Sequence, residues 1–198
     1  MGTRESTRTK LLDATDELLF SVGATHTPVD QILERAGVSP ATLYRAYDSK
    51  EALIAAALDR RHGAWLQAWD EAVARAADER GRLLAVFDAL EEFRRRPDGA
   101  RWCAFLGTAA GYVDPPPVLA AAIRQDSDSM RERLRHLAEP LAGPHAVRLA
   151  DALMVIVSGQ LAMRLRPGRP VASGTARAVA ELLVDHPDSI RPSSGVIS

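Results

Sequence analysis

The chain has 198 residues, of which 46% are hydrophobic and 26% are charged, and its formal net charge at pH 7 is −1. This balance is typical of a soluble globular protein with one or two domains, and it excludes a fibrous or intrinsically disordered chain. No run of about 18 uninterrupted apolar residues indicates a membrane span, and the first segment lacks the pattern of a secretory signal, so we expect a cytoplasmic protein.

Proline and glycine residues divide the chain into helical segments, and no segment shows the pattern of a strand. Apolar residues at helical spacing predict a first amphipathic helix over residues 4–22. Thr27 as N-cap, followed by Pro28 at the first helical position, predicts a second helix that ends at Gly37. The N-terminal part of the chain is therefore expected to be a small helical module.

The next segment, GVSPATLYRAYDSKEAL, has a glycine and a proline inside what otherwise resembles a continuous helix. Gly37 can adopt the left-handed conformation that turns the chain, and Pro40 after Ser39 as N-cap starts a short third helix. Asp48 as N-cap, with Glu51 three residues later, predicts a long fourth helix. Three helices are thus expected within the first 46 residues, with a fourth that leads out of them.

Amphipathic helices are predicted to continue along the rest of the chain, and the two terminal helices differ from the others. The segment at about residues 145–165 is apolar nearly all round, which in a soluble protein implies burial on two sides. A final amphipathic helix follows at about residues 172–186. We expect these two helices to form a homodimer interface and residues 188–198 to be a disordered tail.

Cysteine, histidine and enzyme motifs argue against a metal, a cofactor or catalysis. The single cysteine, Cys103, excludes an internal disulfide framework and a cysteine-rich zinc site. The five histidines are scattered singly, without a pair four residues apart. The sequence lacks the G-x-S-x-G, G-K-[ST], H-E-x-x-H and G-x-G-x-x-G patterns. We therefore expect no metal site, no cofactor and no enzymatic activity.

The charges of the N-terminal module do not by themselves indicate a nucleic-acid partner. Residues 1–62 carry eight Lys and Arg against nine Asp and Glu, so only the placement of the charges can favour DNA. A short helix, a turn with glycine and a second helix have the geometry of a helix-turn-helix motif, whose second helix enters a major groove. Similar turns occur in proteins that do not bind DNA, and the geometry alone leaves both interpretations open.

The second helix of that motif carries side chains that suit DNA recognition. Arg45 is its one long donor and can bridge the two acceptors of a guanine edge. Tyr44 and Lys50 suit phosphate oxygens. Tyr47 is expected to lie with Leu43 on the inward side, as part of the core.

The segment TPVDQILERAGVSPATLYRAYDSKEAL resembles, nearly position for position, the DNA-binding module of the TetR family of transcriptional repressors. The family's signature is a capping threonine, an alanine-glycine turn, T-L-Y, an aromatic residue and S-K-E-x-L, and the resemblance spans about residues 4–58. It implies an all-α fold with a three-helix, helix-turn-helix DNA-binding domain at residues 1–48 and a helical ligand-binding and dimerisation domain at residues 49–187. It also implies a homodimeric repressor that binds a palindromic DNA operator and is released by a small, largely apolar effector.

The same resemblance assigns DNA contacts by position, with Thr27, Tyr44 and Lys50 expected on phosphates. Leu33 stands where the family more often has alanine, and Ala46 where it often has histidine, so the operator sequence does not follow from the family. The full set of expected DNA-binding residues is Thr27, Ser39, Pro40, Ala41, Thr42, Tyr44, Arg45 and Lys50.

Aromatic residues cluster in the middle helices, and they either fill the core or line a ligand cavity. Small-molecule cavities are mostly apolar with a few polar groups. Cys103 is either a thiol sensor or a small buried hydrophobe, and the lack of a second cysteine favours the latter. The arginine run at residues 93–97 is either a solvated helix end, which we favour, or a partner-binding patch. The residues predicted to bind the ligand are Trp65, Trp69, Phe87, Trp102, Cys103, Phe105, Tyr112, Met154 and Ser158.

A competing interpretation comes from another class of protein. The same helices fit a ligand-binding or scaffold protein that does not bind an operator. Binding to DNA with and without the correct sequence separates the two interpretations.

Overall fold

The computed structural model describes residues 2–21, 27–96, 103–164, 166 and 173–190, and within these ranges it contains helices and no strand. The predicted all-α fold is confirmed.

Two short 3₁₀ segments, Gly143–His145 and Pro187–Ser189, accompany the α-helices. Most of the predicted disordered tail, residues 191–198, lies outside the described residues. In chain order the described α-helices are α1 (Gly2–Ser21), α2 (Val29–Ala36), α3 (Pro40–Ala46), α4 (Lys50–Arg75), α5 (Glu79–Arg95), α6 (Ala104–Gly111), α7 (Pro117–Ala142), α8 (Ala146–Met163) and α9 (Ser173–Asp185).

The first compact unit comprises residues 1–64 together with residues 100–126. One of its apolar clusters joins α1, α2, α3 and the start of α4. A second cluster joins α1 and α4 to α6 and the start of α7. In the first cluster the fully buried side chains are Leu11, Ile32, Leu43 and Leu53.

The second compact unit comprises residues 65–99 together with residues 127–198. Helix α9 packs against α5 and α8. Helix α5 buries a continuous run from Leu83 to Phe87, and α8 buries Leu149, Leu153 and Val157. The apolar face of α8 thus contributes to the core of this unit.

The turn between α2 and α3 has the predicted conformation. Gly37 lies at φ 64° and ψ 40°, in the left-handed region. The Gly37 N–H donates to the Glu34 carbonyl at 3.2 Å and the Val38 N–H donates to the Leu33 carbonyl at 3.1 Å, the hydrogen bonds of a Schellman motif. A side chain at position 37 would be strained at this φ, so glycine is required for the turn.

Helix α3 begins as predicted. Ser39 is its N-cap, with extended backbone, and the Ser39 hydroxyl accepts a hydrogen bond from the Thr42 N–H at 3.3 Å. Pro40 occupies the first helical position, where its lack of an N–H costs nothing.

Two other predicted N-caps are wrong by one residue. The N-cap of α2 is Pro28 and not Thr27, and Pro28 makes no side-chain cap hydrogen bond. At the start of α4 the Ser49 hydroxyl, and not the Asp48 carboxylate, accepts the hydrogen bond from the Ala52 N–H, at 3.0 Å. Adjacent polar residues compete for the same cap position, and the geometry of the preceding turn decides between them.

Replacing Ser49 by alanine tests this cap assignment. We expect Ser49→Ala to lower the free energy of unfolding by about 1 kcal/mol, since a capping hydroxyl is lost. Urea denaturation followed by circular dichroism measures the change. Asp48→Ala is the matched control, and it should cost less than about 0.5 kcal/mol because Asp48 is exposed. A larger loss from Asp48→Ala than from Ser49→Ala would contradict the assignment.

Candidate nucleic-acid interface

The orientation of α3 is set by two buried side chains on its inner face. Leu43 is fully buried, and Tyr47, directly after the helix, is 7% exposed. Their four-residue spacing places them on the same side of the chain, so the opposite side faces solvent. The expected core role of Leu43 and Tyr47 is confirmed.

The outer face of α3 begins with small residues and ends with long ones. Pro40 and Ala41 are exposed, as are Tyr44, at 55%, and Arg45. Small residues at the start allow a close approach of the helix to a base edge, whereas Arg45 supplies donors. Lys50, at the first position of α4, is half-buried.

Two hydroxyl groups fix the first turn of α3. The Ser39 and Thr42 hydroxyl oxygens lie 2.9 Å apart, at hydrogen-bonding distance. Ser39 is exposed and Thr42 is half-buried. These residues therefore lie next to Ala41 at the N-terminus of the helix, and each hydroxyl is already engaged within the protein.

Three acidic side chains of α1 are paired with arginines of neighbouring helices. Arg35 on α2 makes two hydrogen bonds to Glu17, at 2.7 and 2.8 Å. Arg60 on α4 donates to Asp13 at 2.8 Å and also to Asp16. Burial raises the pKa of Asp16, and Arg60 opposes this effect. Because of these pairs, much of the negative charge of α1 is neutralised within the module.

Other basic side chains of the module have charges that remain available for contacts with DNA. Within the part of the chain that the structure describes, Lys10, Arg45 and Lys50 have no acidic partner at ion-pair distance. The Arg8 guanidinium lies over the Tyr47 ring, 4.8 Å from its centre. The net charge of −1 therefore coexists with cations that are free to meet phosphates or base edges.

Thr27 does not fit its expected role. Its side chain is fully buried, so in this conformation the hydroxyl cannot reach a phosphate. The expectation came from the position of Thr27 relative to the family motif, and the one-residue shift of the α2 N-cap removes the reason for an exposed hydroxyl there.

The predicted ligand-binding residues fall into separate groups. In the second unit, the Trp65 and Trp69 rings lie 5.5 Å apart between centres, and the Trp65 and Phe93 rings lie 5.8 Å apart. In the first unit, Phe105 belongs to the cluster that joins α4 and α6. These aromatic contacts fill cores in the described conformation.

Cys103 and Tyr112 pack against that same cluster of the first unit. Desolvation of the sulfur raises the pKa of the Cys103 thiol to about 11. The thiol is therefore protonated at neutral pH and poorly reactive, which favours the small buried hydrophobe over the thiol sensor.

The comparisons with known proteins agree with the geometry of the interface. Residues 11–57 match the family model described as bacterial regulatory proteins, tetR family. The chain is 27% identical over 176 residues to the HTH-type transcriptional activator FasR of Mycolicibacterium smegmatis. The aligned region covers 87% of this chain and 78% of FasR.

Solved structures show the same fold. SCO4454, a TetR-family transcriptional regulator from Streptomyces coelicolor, superposes with a TM-score of 0.78 at 23% identity, over 93% of this chain and 90% of that one. A TetR transcriptional regulator from Chloroflexus aurantiacus gives a TM-score of 0.78 at 21% identity, over 94% and 98%. This protein is a DNA-binding transcriptional regulator whose residues 11–57 match the TetR family. Binding of DNA by its helix-turn-helix module is thus part of its function.

Several predicted ligand-binding residues of the regulator remain without a described cavity. Phe87 is buried, Met154 and Ser158 are half-buried, and Trp102 lies outside the described residues. None of the predicted residues lines either of two described cavities, one of about 370 Å³ between α4, α5 and α7 and one of about 400 Å³ between α7 and α8. The ligand cavity stays a prediction.

The arginine run after Phe93 is engaged within the regulator itself. Arg94 donates to Glu91 at 2.5 Å, and Arg96 donates to Glu71 at 2.9 Å. Side chains paired in this way, near the C-terminal end of α5, support the interpretation as a solvated helix end.

Sequence reasoning missed Arg133 on α7. Its guanidinium lies over the Trp69 ring, 4.8 Å from the ring centre, and donates to Asp70. The signal was present, because Arg133 follows Met130 by three residues and precedes Leu137 by four, at the edge of an apolar stripe. A long charged side chain at the edge of an apolar stripe often lies along apolar surface, and here that surface is the Trp69 ring.

Proposed function

We propose that this regulator binds a palindromic DNA operator as a homodimer, represses transcription and releases the operator when a small, largely apolar effector binds. The observation that carries the proposal is the outer face of α3, where Arg45 is exposed and has no acidic partner among the described residues. The operator is cytoplasmic DNA, so we place the regulator in the cytoplasm.

The cross-section of α3 suits insertion into DNA. An α-helix is about 10–12 Å across with its side chains, which fits a major groove about 12 Å wide. Arg45 donates to the O6 and N7 of a guanine, while Tyr44 and Lys50 contact phosphates on either side. Pro40 and Ala41 allow the helix to approach the bases.

Exposed apolar side chains on α8 and α9 support the homodimer. Val147 is 51% exposed, Val155 72% and Met163 37%, and all three lie on α8. On α9, Val179 is 44% exposed and Leu182 64%. Helices α8 and α9 pack on each other, and large exposed apolar side chains on packed neighbouring helices are typical of a protein interface.

The apolarity of this region also meets a simple test for membrane helices. By length and composition alone, the helical stretch 117–163 is apolar enough to cross a membrane. Charged pairs within it, such as Arg131 with Asp151 at 2.6 Å, oppose insertion into lipid. We therefore assign the apolar surface to the core and the subunit interface.

A dimer explains how one short helix gives useful affinity. One α3 helix contacts a few base pairs, whereas two modules about 34 Å apart read two half-sites related by two-fold symmetry. Effector binding that changes this spacing weakens operator binding, and a coupling of about 1–3 kcal/mol is typical of such linkage. Helix α4 carries both Lys50 and the aromatic pair of Trp65 and Trp69, so it is the element through which we propose that the coupling runs.

The second candidate function is activation of transcription, because the relative FasR is named an activator.

Alanine substitutions at Arg45 and Lys50 separate base reading from phosphate contact. Arg45→Ala should lose about 1–3 kcal/mol of discrimination at one symmetric operator position, because a bidentate base contact disappears. Lys50→Ala should weaken all sequences alike and reduce the salt slope by roughly two contacts per dimer. Fluorescence anisotropy with operator and single-substituted duplexes at several salt concentrations measures both effects.

Each substitution can also contradict the DNA contact that we assign to its residue. Uniform weakening on every duplex by Arg45→Ala would move Arg45 to the DNA backbone. An unchanged salt slope for Lys50→Ala would remove Lys50 from the set of phosphate contacts.

A charge placed at an exposed valine of α8 tests the dimer. We expect the regulator to sediment at twice its chain mass of 21.4 kDa at micromolar concentration and Val155→Arg to sediment as a monomer, because a buried unpaired charge opposes association. Val113→Arg is the matched control, since Val113 is fully exposed in the loop between α6 and α7, and it should stay dimeric. A dimeric Val155→Arg variant, or a monomeric parent protein, would refute this interface.

A further inference from the structure

Two N–H donors of the second unit are buried and lack an acceptor among the residues that the structure describes. They are the indole Nε1 of Trp69, a fully buried residue on α4, and the guanidinium Nε of Arg133 on α7. The Cζ of Arg133 lies 4.8 Å from the centre of the Trp69 ring. Both donors therefore belong to one contact between α4 and α7.

The surroundings of these donors are aromatic and cannot replace an acceptor. Trp69 packs on Trp65, which packs in turn on Phe93. The guanidinium is satisfied on its outer side, where Nη2 of Arg133 donates to Asp70. A buried N–H without an acceptor destabilises the folded state, and a buried charged one does so more strongly. A ligand oxygen at this contact would remove that cost.

The charge of the contact favours an anion. The Arg133 side chain is 23% exposed, whereas the Asp70 side chain is 66% exposed. Water screens the Asp70 carboxylate more than the inner edge of the guanidinium, so Asp70 only partly neutralises Arg133 there. Carboxylate and other oxyanion oxygens form strong, charge-assisted hydrogen bonds with guanidinium N–H groups.

We propose that the effector is an apolar acid, whose carboxylate or similar oxyanion accepts hydrogen bonds from the Trp69 Nε1–H and the Arg133 Nε–H while its apolar body takes the place of part of the Trp65 and Phe93 packing that fills this core in the described conformation. This rests on the proposed effector response and makes it specific, since a neutral hydrocarbon would leave both donors without an acceptor. Arg133 selects the charge of the ligand, and Trp69 selects an oxygen in the plane of its ring.

The test compares acids with neutral molecules of the same size. Isothermal titration of the full-length regulator uses straight-chain carboxylates of six to sixteen carbons, each paired with the alcohol of equal length. At least one acid should bind ten times or more tightly than its alcohol. Its binding should also shift the ¹H–¹⁵N signal of the Trp69 indole, which reports hydrogen bonding of that N–H directly.

Three variants assign the preference to the two donors. Trp69→Phe keeps an aromatic ring without the N–H, and Arg133→Gln removes the charge, so each should reduce the preference for the acid to about threefold or less. Trp65→Phe is the matched control, because Trp65 belongs to the same aromatic group and its indole N–H is not one of the two donors. It should weaken acid and alcohol alike and keep their ratio.

Equal binding of acid and alcohol at every chain length, including no binding of either, would overturn the proposal. Loss of the preference in Trp65→Phe to the same extent as in Trp69→Phe would overturn it as well. Operator binding of the unmodified regulator without any effector is measured alongside by anisotropy. A regulator that binds its operator but shows no preference for acids refutes this inference alone, whereas a regulator that binds no operator refutes the proposed function.

Discussion

The DNA-binding surface depends on the burial of Leu43 and Tyr47. A helix of seven residues is unstable alone, because nucleation costs more than so few hydrogen bonds return. Helix α3 is held by the apolar cluster with α1, α2 and α4, in which Leu43 is fully buried. The buried pair fixes the rotation of α3 about its axis, and this rotation determines that Ala41, Tyr44 and Arg45 face outward. A change in that packing would alter every proposed base contact at once.

Charge placement is the second requirement, and it follows from which side chains are paired. Exposed ion pairs such as Arg35 with Glu17 contribute about 0–1 kcal/mol each to stability, so their main effect is on the distribution of charge. They neutralise α1 while Arg45 and Lys50 stay available. A module with a slight excess of acidic residues can therefore bind a polyanion, and its net charge is a poor guide to its partner.

The sequence predicted local features well and distant contacts poorly. The turn at Gly37 and the start of α3 were predictable because they depend on residues within four positions of each other. The cap of α4 is less predictable, because Asp48 and Ser49 are both residue types that cap helices and only turn geometry selects Ser49. The contact of Trp69 with Arg133 joins residues far apart in sequence, so it depends on how α4 and α7 pack. For the same reason, helical spacing could not distinguish aromatic residues of the core from those of a cavity.

Selection of bound duplexes from a random-sequence DNA pool tests the central claim most directly, because it assumes no operator. The account predicts enrichment of a two-fold symmetric site, with half-sites one helical turn or a multiple apart and one guanine per half-site that Arg45 requires. Binding to the enriched site should weaken steeply as salt rises. Recovery of no sequence above background, or of a site without symmetry, would contradict the account and favour a helical ligand-binding protein that does not recognise an operator.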